Sequence, residues 1–448
     1  MITSTTVRTA AAAIVVVLAA PAVWANPAAI VPTGGSGDFS LEYEYELDAA
    51  RITRERAGDP AADPLGRSPK FDDLQFSGFR HLLTPRLDVG FGPDAWISAA
   101  IPIVITQARE LRLASGVDRT QSPTLQDGFL PQTGFDAQNP TSPPSGDLVF
   151  RGVDRKGIPE VRLGLGVAPM NQRRDDTKPT WKIGADLRLA VGRVMRFDRN
   201  KPDGETGVSD GVHKLTLWTS IDRKIGFYEP WMKIDWTVPV SVRSTSLYQD
   251  PGFGVTNRLP SQVAGTEFGV ELFAVDDKVE QNALSIEISG RARAHFEGRG
   301  YSEMWEIFAY AGDRTAPGAP LVLDADPTTD GVQAMSHPGI TNIENYLEIG
   351  GRIALRAQLG PRVHVAASVD VFKLTDHVIT FADSGVDQPT CGAPGAGTNC
   401  EVDANVVVNP GTKEVNPLHA PSIDRVGNRY LSEQNLGVVL GVTGIIVF

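Results

Sequence analysis

The sequence of 448 residues is poor in cysteine and methionine, and it has more acidic than basic side chains. It contains two Cys and six Met, and its 42 Lys and Arg against 54 Asp and Glu give a formal net charge of −12. Two Cys are too few for a disulfide scaffold or a four-cysteine zinc site. An acidic chain does not fit a general nucleic-acid binder, which carries a basic surface. We therefore predict no nucleic-acid partner and no metal site.

Long hydrophobic runs are also missing after the first 25 residues. None reaches the ~20 residues that a transmembrane helix needs, and the mean hydropathy of the chain is −0.13. These features exclude a helical membrane bundle. They remain compatible with a membrane β-barrel, because its strands alternate apolar and polar side chains and average to a low hydropathy.

The first 25 residues have the pattern of a secretory signal peptide. Arg8 precedes a short apolar stretch centred on residues 14–18, and small residues around Ala25 resemble a cleavage site. An N-terminal membrane anchor is the alternative, but the apolar stretch is too short to span a bilayer. We predict a signal peptide at 1–25 and one exported domain at 26–448.

The rest of the chain repeats a two-residue periodicity. Phe39, Leu41 and Tyr43 alternate with Glu42 and Glu44, which is the pattern of a strand with one apolar and one charged face. The pattern recurs in twelve segments, near 38–56, 73–91, 95–113, 157–171, 180–197, 211–223, 227–243, 266–275, 280–297, 341–359, 362–380 and 430–448. Most of them are long enough to cross a bilayer as tilted strands.

The connections between these segments alternate between short and long. Short turns such as 92–94 and 224–226 alternate with six longer connections, near 57–72, 114–156, 198–210, 244–265, 298–340 and 381–429. Outer-membrane barrels have short periplasmic turns and long extracellular loops. We predict an all-β fold, a transmembrane antiparallel up-and-down β-barrel of about twelve strands. A soluble β-sandwich is the alternative, but its strands average about five or six residues.

The charged face of each strand is predicted to line the lumen, the space enclosed by the barrel. This face carries both acidic and basic side chains, which predicts cross-strand ion pairs. Two interpretations of the pairs remain open: they neutralise charges inside a narrow barrel, or they set solute selectivity. The predicted lumen-lining residues are Glu42, Glu44, Glu46, Arg86, Lys182, Arg188, Lys233, Asp235, Glu267, Glu271, Arg291, Arg293, Glu344, Glu348, Arg352 and Arg356. Aromatic residues near the short turns are predicted to form an interfacial girdle; they are Phe91, Trp96, Trp181, Phe227 and Tyr228.

Cys391 and Cys400 lie in the last long loop. Export exposes them to an oxidising compartment, which predicts a disulfide between them. The seven His form no His-Glu-x-x-His motif, and there is no Gly-x-Ser-x-Gly elbow. The sequence therefore predicts no catalytic residues, no cofactor and no enzymatic activity.

Two resemblances to known families complete the interpretation. The last strand ends in Phe448 and resembles the assembly signal of bacterial outer-membrane barrels, which implies the barrel assembly machinery and outer-membrane lipid as partners. Residues 87–105, 157–168 and 179–193 resemble hairpins of outer-membrane transporters found beside aromatic-degradation genes of the meta-pathway phenol type. The long loops at 114–156, 298–340 and 381–429 depart from that family.

The second resemblance implies a passive channel for small solutes, aromatic ones included. We therefore predict an outer-membrane channel or diffusion transporter whose partner is a small-molecule solute. The alternative is a closed barrel whose surface loops bind a ligand or a protein. The sequence does not determine the oligomeric state.

Overall fold

The computed structural model describes residues 35–56, 68–249, 257, 259–313, 315, 320–324, 334–382 and 421–448. The predicted signal peptide at 1–25 lies outside these residues, as do Cys391 and Cys400. The leader and the disulfide therefore stay predictions.

The described chain is built mainly from antiparallel strands. Their bounds are β1 (Gly37–Glu55), β2 (Lys70–Phe91), β3 (Ala95–Ala100), β4 (Ile103–Leu113), β5 (Phe135–Asp136), β6 (Leu148–Arg151), β7 (Arg155–Gly157), β8 (Glu160–Met170), β9 (Thr180–Ala190), β10 (Val212–Asp222), β11 (Tyr228–Val242), β12 (Val263–Asp277), β13 (Asn282–His295), β14 (Gly298–Gly300), β15 (Leu323–Asp324), β16 (Ala334–Met335), β17 (Thr341–Ile343), β18 (Tyr346–Leu359), β19 (Val363–Leu374), β20 (His377–Thr380) and β21 (Tyr430–Val447). The helices are α1 (Pro123–Gln126) and α2 (Trp305–Ala311), with 3-10 turns at Pro202–Gly204, Leu247–Gln249 and Ser422–Asp424. None of these described helices is long and apolar enough to cross a bilayer.

Twelve strand segments form the wall, and the wall is closed. Each segment pairs antiparallel with its sequence neighbours, with β3 and β4 together forming the third segment. The first and last segments also pair, from Asp38 opposite Val447 to Arg54 opposite Tyr430. Gly37 and Phe448 exchange two backbone hydrogen bonds of 2.8 and 2.9 Å at the short-turn end. The predicted twelve-stranded up-and-down barrel is confirmed.

The outer face of the wall is apolar. Ile97, Leu165 and Ile353 are 52 %, 55 % and 60 % exposed. In each of their strands the adjacent residues have the opposite orientation and point inward. A soluble sandwich would bury such residues, whereas a membrane barrel presents them to lipid. The two-residue alternation thus becomes an apolar exterior and a charged interior, the build of an outer-membrane barrel.

The predicted aromatic girdle needs one correction. Phe91, Trp181 and Phe227 are exposed near the short turns, as expected for side chains at the lipid interface. Trp96 is buried instead, because it lies on the inward parity of β3 and its ring covers Gly166, where a Cβ would lie 2.2 Å from the indole.

Candidate functional site

Two long loops fold back into the extracellular half of the barrel. The segment after β4 carries α1, Phe129 and Leu130, and the segment after β14 carries Met304 and α2; all of these are buried against each other and against inward-facing strand residues. We call this set of loop residues the loop plug. Helix α2 has apolar side chains on every face, which is the pattern of a helix surrounded by protein.

A buried ion pair connects α2 of the loop plug to β7. Arg155 donates to Glu306 Oε1 at 2.6 Å, and the side chains are only 2 % and 4 % exposed. Arg155 also lies over the ring of Trp305, 5.0 Å from its centroid, and donates to the backbone oxygens of Glu205 and Gly207 at 2.8 and 3.1 Å. One guanidinium group therefore joins three loops.

The interior of β12, β13, β18 and β19 is filled by a network of ion pairs. Arg291 bonds to Glu348 at 2.8 Å and to Asp370, and Arg293 bonds to Glu267 and to Glu348 at 3.4 Å. The antiparallel register places Arg293 directly opposite Glu348 and Glu267 opposite Arg291, so the bonds from Arg293 to Glu267 and from Arg291 to Glu348 run diagonally between strands. Glu267 and Glu348 gain a cation from the neighbouring strand β13, and Asp370 on β19 gains one from the same strand across β18.

A second part of the network lies nearer the short turns. Arg356 bonds to Glu287 at 2.6 Å and to Glu271 at 3.6 Å. Lys182 pairs with Asp222 at 3.5 Å, and Arg352 donates to the Ser368 hydroxyl at 3.1 Å.

The inward face of β1 is an acidic ladder. Glu44 and Glu46 are buried, Glu42 is half-buried, and Glu46 bonds to Arg80 on β2 at 2.6 Å. Arg86 further along β2 pairs with Asp88 at 2.7 Å through two nitrogens.

Glu344 is the exception among the predicted lumen residues. It is exposed in the turn between β17 and β18. The regular strand β18 begins at Tyr346, two residues after Glu344. The side chain of Glu344 is therefore not part of the wall.

A cavity of about 250 Å³ lies inside the barrel beside the loop plug. Residues of β2, β4, β8–β14, β17 and β18 line it together with residues of the loops. Basic side chains dominate its polar lining; they are Arg80, Arg109, Arg162, Arg188, Lys214, Lys233, Arg293 and Arg299, against Glu160, Asp210 and Asp235. Apolar groups complete the wall, among them Leu82, Met195, Val208 and Ile343.

Several of the basic residues at the cavity already have an ion-pair partner. Arg162 pairs with Glu160 at 2.6 Å, and Lys214 pairs with Asp210 at 2.5 Å. Arg188 donates to the Thr216 hydroxyl at 3.1 Å instead. These differences decide which cations are available to a solute.

Two tyrosines on loops border the same cavity. Burial raises the pKa of Tyr248 and of Tyr301, and the nearby Asp210 raises both further. Both phenols therefore stay protonated at neutral pH, and the Tyr301 hydroxyl donates to the backbone oxygen of Met195 at 3.1 Å.

Sequence reasoning did not find Arg155, Glu306 or the cavity tyrosines, because they lie in loops without periodicity. The available signal was the apolar segment at residues 304–311 inside a predicted extracellular loop. An exposed loop does not need such a segment, so it could have indicated inward folding.

Within the described residues, no group of three or more His, Cys, Asp or Glu side chains is placed to hold a metal ion. No family model and no curated protein matches the chain.

Solved structures of outer-membrane barrels do match. An outer membrane channel from Pseudomonas putida F1 is 8 % identical, with 94 % of this chain and 99 % of that chain covered and a TM-score of 0.39. A FadL homologue from Pseudomonas aeruginosa is 9 % identical over 92 % and 90 % of the two chains, with a TM-score of 0.30. The outer membrane protease OmpT from Escherichia coli is 7 % identical over 92 % and 97 %, with a TM-score of 0.23.

The last of these matches corrects one prediction. The absence of catalytic motifs led us to predict that the chain is not an enzyme, yet a protease is among the barrels that it matches. That prediction was wrong as a conclusion from motifs, because the absence of a motif does not establish the absence of an activity. The match assigns no activity to this chain.

Proposed function

We propose that the protein is an outer-membrane channel or diffusion transporter for small solutes, aromatic ones included, and that the loop plug closes it at rest. The observation that carries the proposal is the cavity of about 250 Å³ inside a closed barrel wall. A barrel that only displayed surface loops would have no need of a solute-sized, charge-lined space below them. The resemblance to transporters beside aromatic-degradation genes supports the aromatic part.

The charged interior gives the proposed path its chemistry. Solutes that pass the plug meet the ion pairs of Arg291, Arg293 and Glu348. Rings of charged side chains set selectivity in membrane pores, so we propose that the predicted lumen residues, apart from Glu344, act on passing solutes as well as on each other.

The test is conductance of the purified full-length protein in a planar bilayer. We expect discrete conductance steps, with ion selectivity changed by Arg291→Glu. Lys278→Glu is the matched control, because Lys278 is exposed in the short turn between β12 and β13 and the charge change is the same. Folding of each variant is checked by heat-modifiable gel migration.

A folded protein that gives no conductance under any applied voltage would overturn the channel proposal. It would favour the closed barrel whose loops bind a surface partner. Equal ion selectivity of Arg291→Glu and wild type would show that the interior charges do not act on passing solutes.

A further inference from the structure

We infer that the cavity is a binding site for a small organic anion with an apolar body. The inference names the substrate class of the proposed channel and rests on that function only for its physiological meaning, because binding can be measured without transport.

The inference depends mainly on the buried side chain of Lys233. It is 4 % exposed, lies on the inward face of β11 and lines the cavity. Among the described residues its ammonium group has no carboxylate within 4.0 Å, although Glu267 lies opposite it in the strand register. Glu267 bonds to Arg293 and also interacts electrostatically with Lys233, so two cations share one carboxylate. A buried ammonium that shares its counter-charge is only partly compensated, and an anion in the cavity would relieve that cost.

Two arginines strengthen the positive charge at the same cavity. Arg188 and Arg109 are 6 % and 7 % exposed, and in the described part of the chain neither has a carboxylate within 4.0 Å. Arg188 bonds to a hydroxyl and Arg109 to the backbone oxygen of Ser302 at 3.3 Å. Asp235 offsets one of the three cations, so the lining keeps an excess of positive charge.

The remaining lining suits an organic body rather than a bare inorganic ion. Leu82, Val208 and Ile343 supply apolar contacts, and Tyr301 supplies an aromatic one. The volume of about 250 Å³ exceeds the ~150 Å³ of a protein cavity that takes up benzene. A single ring carrying one carboxylate fits both the volume and the charge.

Benzoate is the probe, with benzyl alcohol as the neutral molecule of similar shape and sulfate as the inorganic anion. Equilibrium dialysis or calorimetry on the detergent-solubilised full-length protein should show one benzoate site. Benzyl alcohol and sulfate should each bind at least tenfold more weakly. Lys233→Met and Arg188→Met should each weaken benzoate binding about tenfold, since a hydrogen bond to a charged group contributes about that much.

Lys224→Met is the control, because Lys224 is an ion-paired cation at the short-turn end of the barrel and does not line the cavity. It should keep wild-type benzoate affinity once gel migration shows that it is folded. Equal binding of benzoate and benzyl alcohol, or unchanged affinity in folded Lys233→Met, would overturn the inference.

Bilayer conductance separates the two proposals. A conducting protein without benzoate preference would reject the anion site and keep the channel. A silent protein that binds benzoate through Lys233 would reject the channel and keep the anion site.

Discussion

The ion pair between Arg155 and Glu306 should control the opening of the loop plug. Glu306→Gln keeps the shape of the side chain and removes its charge, which leaves Arg155 buried without a counter-ion at 2 % exposure. Removing one partner of a buried ion pair costs about 3–5 kcal/mol. We take the lower end, since the amide oxygen of the introduced glutamine could still accept one hydrogen bond from Arg155.

The loss falls on the closed state, because both groups are hydrated once the plug leaves the barrel. About 3 kcal/mol corresponds to a shift of the closed-to-open ratio on the order of a hundredfold. The assay is single-channel recording in a planar bilayer, where Glu306→Gln should raise the open probability strongly.

Two further variants make the result specific. Glu303→Gln changes the same residue type three positions earlier, where the side chain is half-buried and forms no ion pair within the described residues; it should behave as wild type. The double variant Arg155→Met with Glu306→Leu should lie between Glu306→Gln and wild type, because replacing both partners by apolar groups is often neutral but the backbone oxygens of Glu205 and Gly207 lose their donor.

Folded Glu306→Gln with the open probability of wild type would show that the ion pair does not hold the plug closed. Equal opening by Glu303→Gln and Glu306→Gln would show that general charge, and not the pair, controls the plug.

Three other perturbations test the barrel itself. Ile353→Arg places a charge in the middle of the apolar exterior and should lower the free energy of unfolding by ~2–4 kcal/mol, whereas Leu359→Arg at the short-turn end should lower it by ~0–1 kcal/mol. Urea titration in detergent compares the two variants. Equal losses would contradict the assignment of this face to lipid. Gly437→Ala should destabilise by ~1–3 kcal/mol, because a Cβ there would lie 2.3 Å from the Phe372 ring; a neutral result in the same titration would show that the ring can move. Phe448→Ala should reduce surface levels in cells but not refolding in detergent, if Phe448 is read by the assembly machinery; an equal loss in both would assign it a structural role.

The sequence alone determined the wall of this protein. A strand exposes alternate residues on opposite faces, so the two-residue pattern from Phe39 to Asp48 was enough to predict the strand, its lipid face and its inward acids. The alternation of short and long connections then fixed an up-and-down order. The same argument failed at Glu344, where the regular strand had not yet begun. Trp96 was assigned to the lipid interface from its nearness to a short turn, but its position in the alternation directs the ring inward over a glycine.

What the wall encloses follows from the folded chain and not from the local sequence pattern. Ion-pair partners depend on register, since a shift of two residues would leave the parity unchanged and move Arg293 away from Glu348. The loop plug depends on packing between segments about 150 residues apart, and neither segment has a periodicity that points into the barrel. The cavity and the position of Lys233 in its wall follow from both, because the lining combines strand and loop residues that meet only in the folded chain.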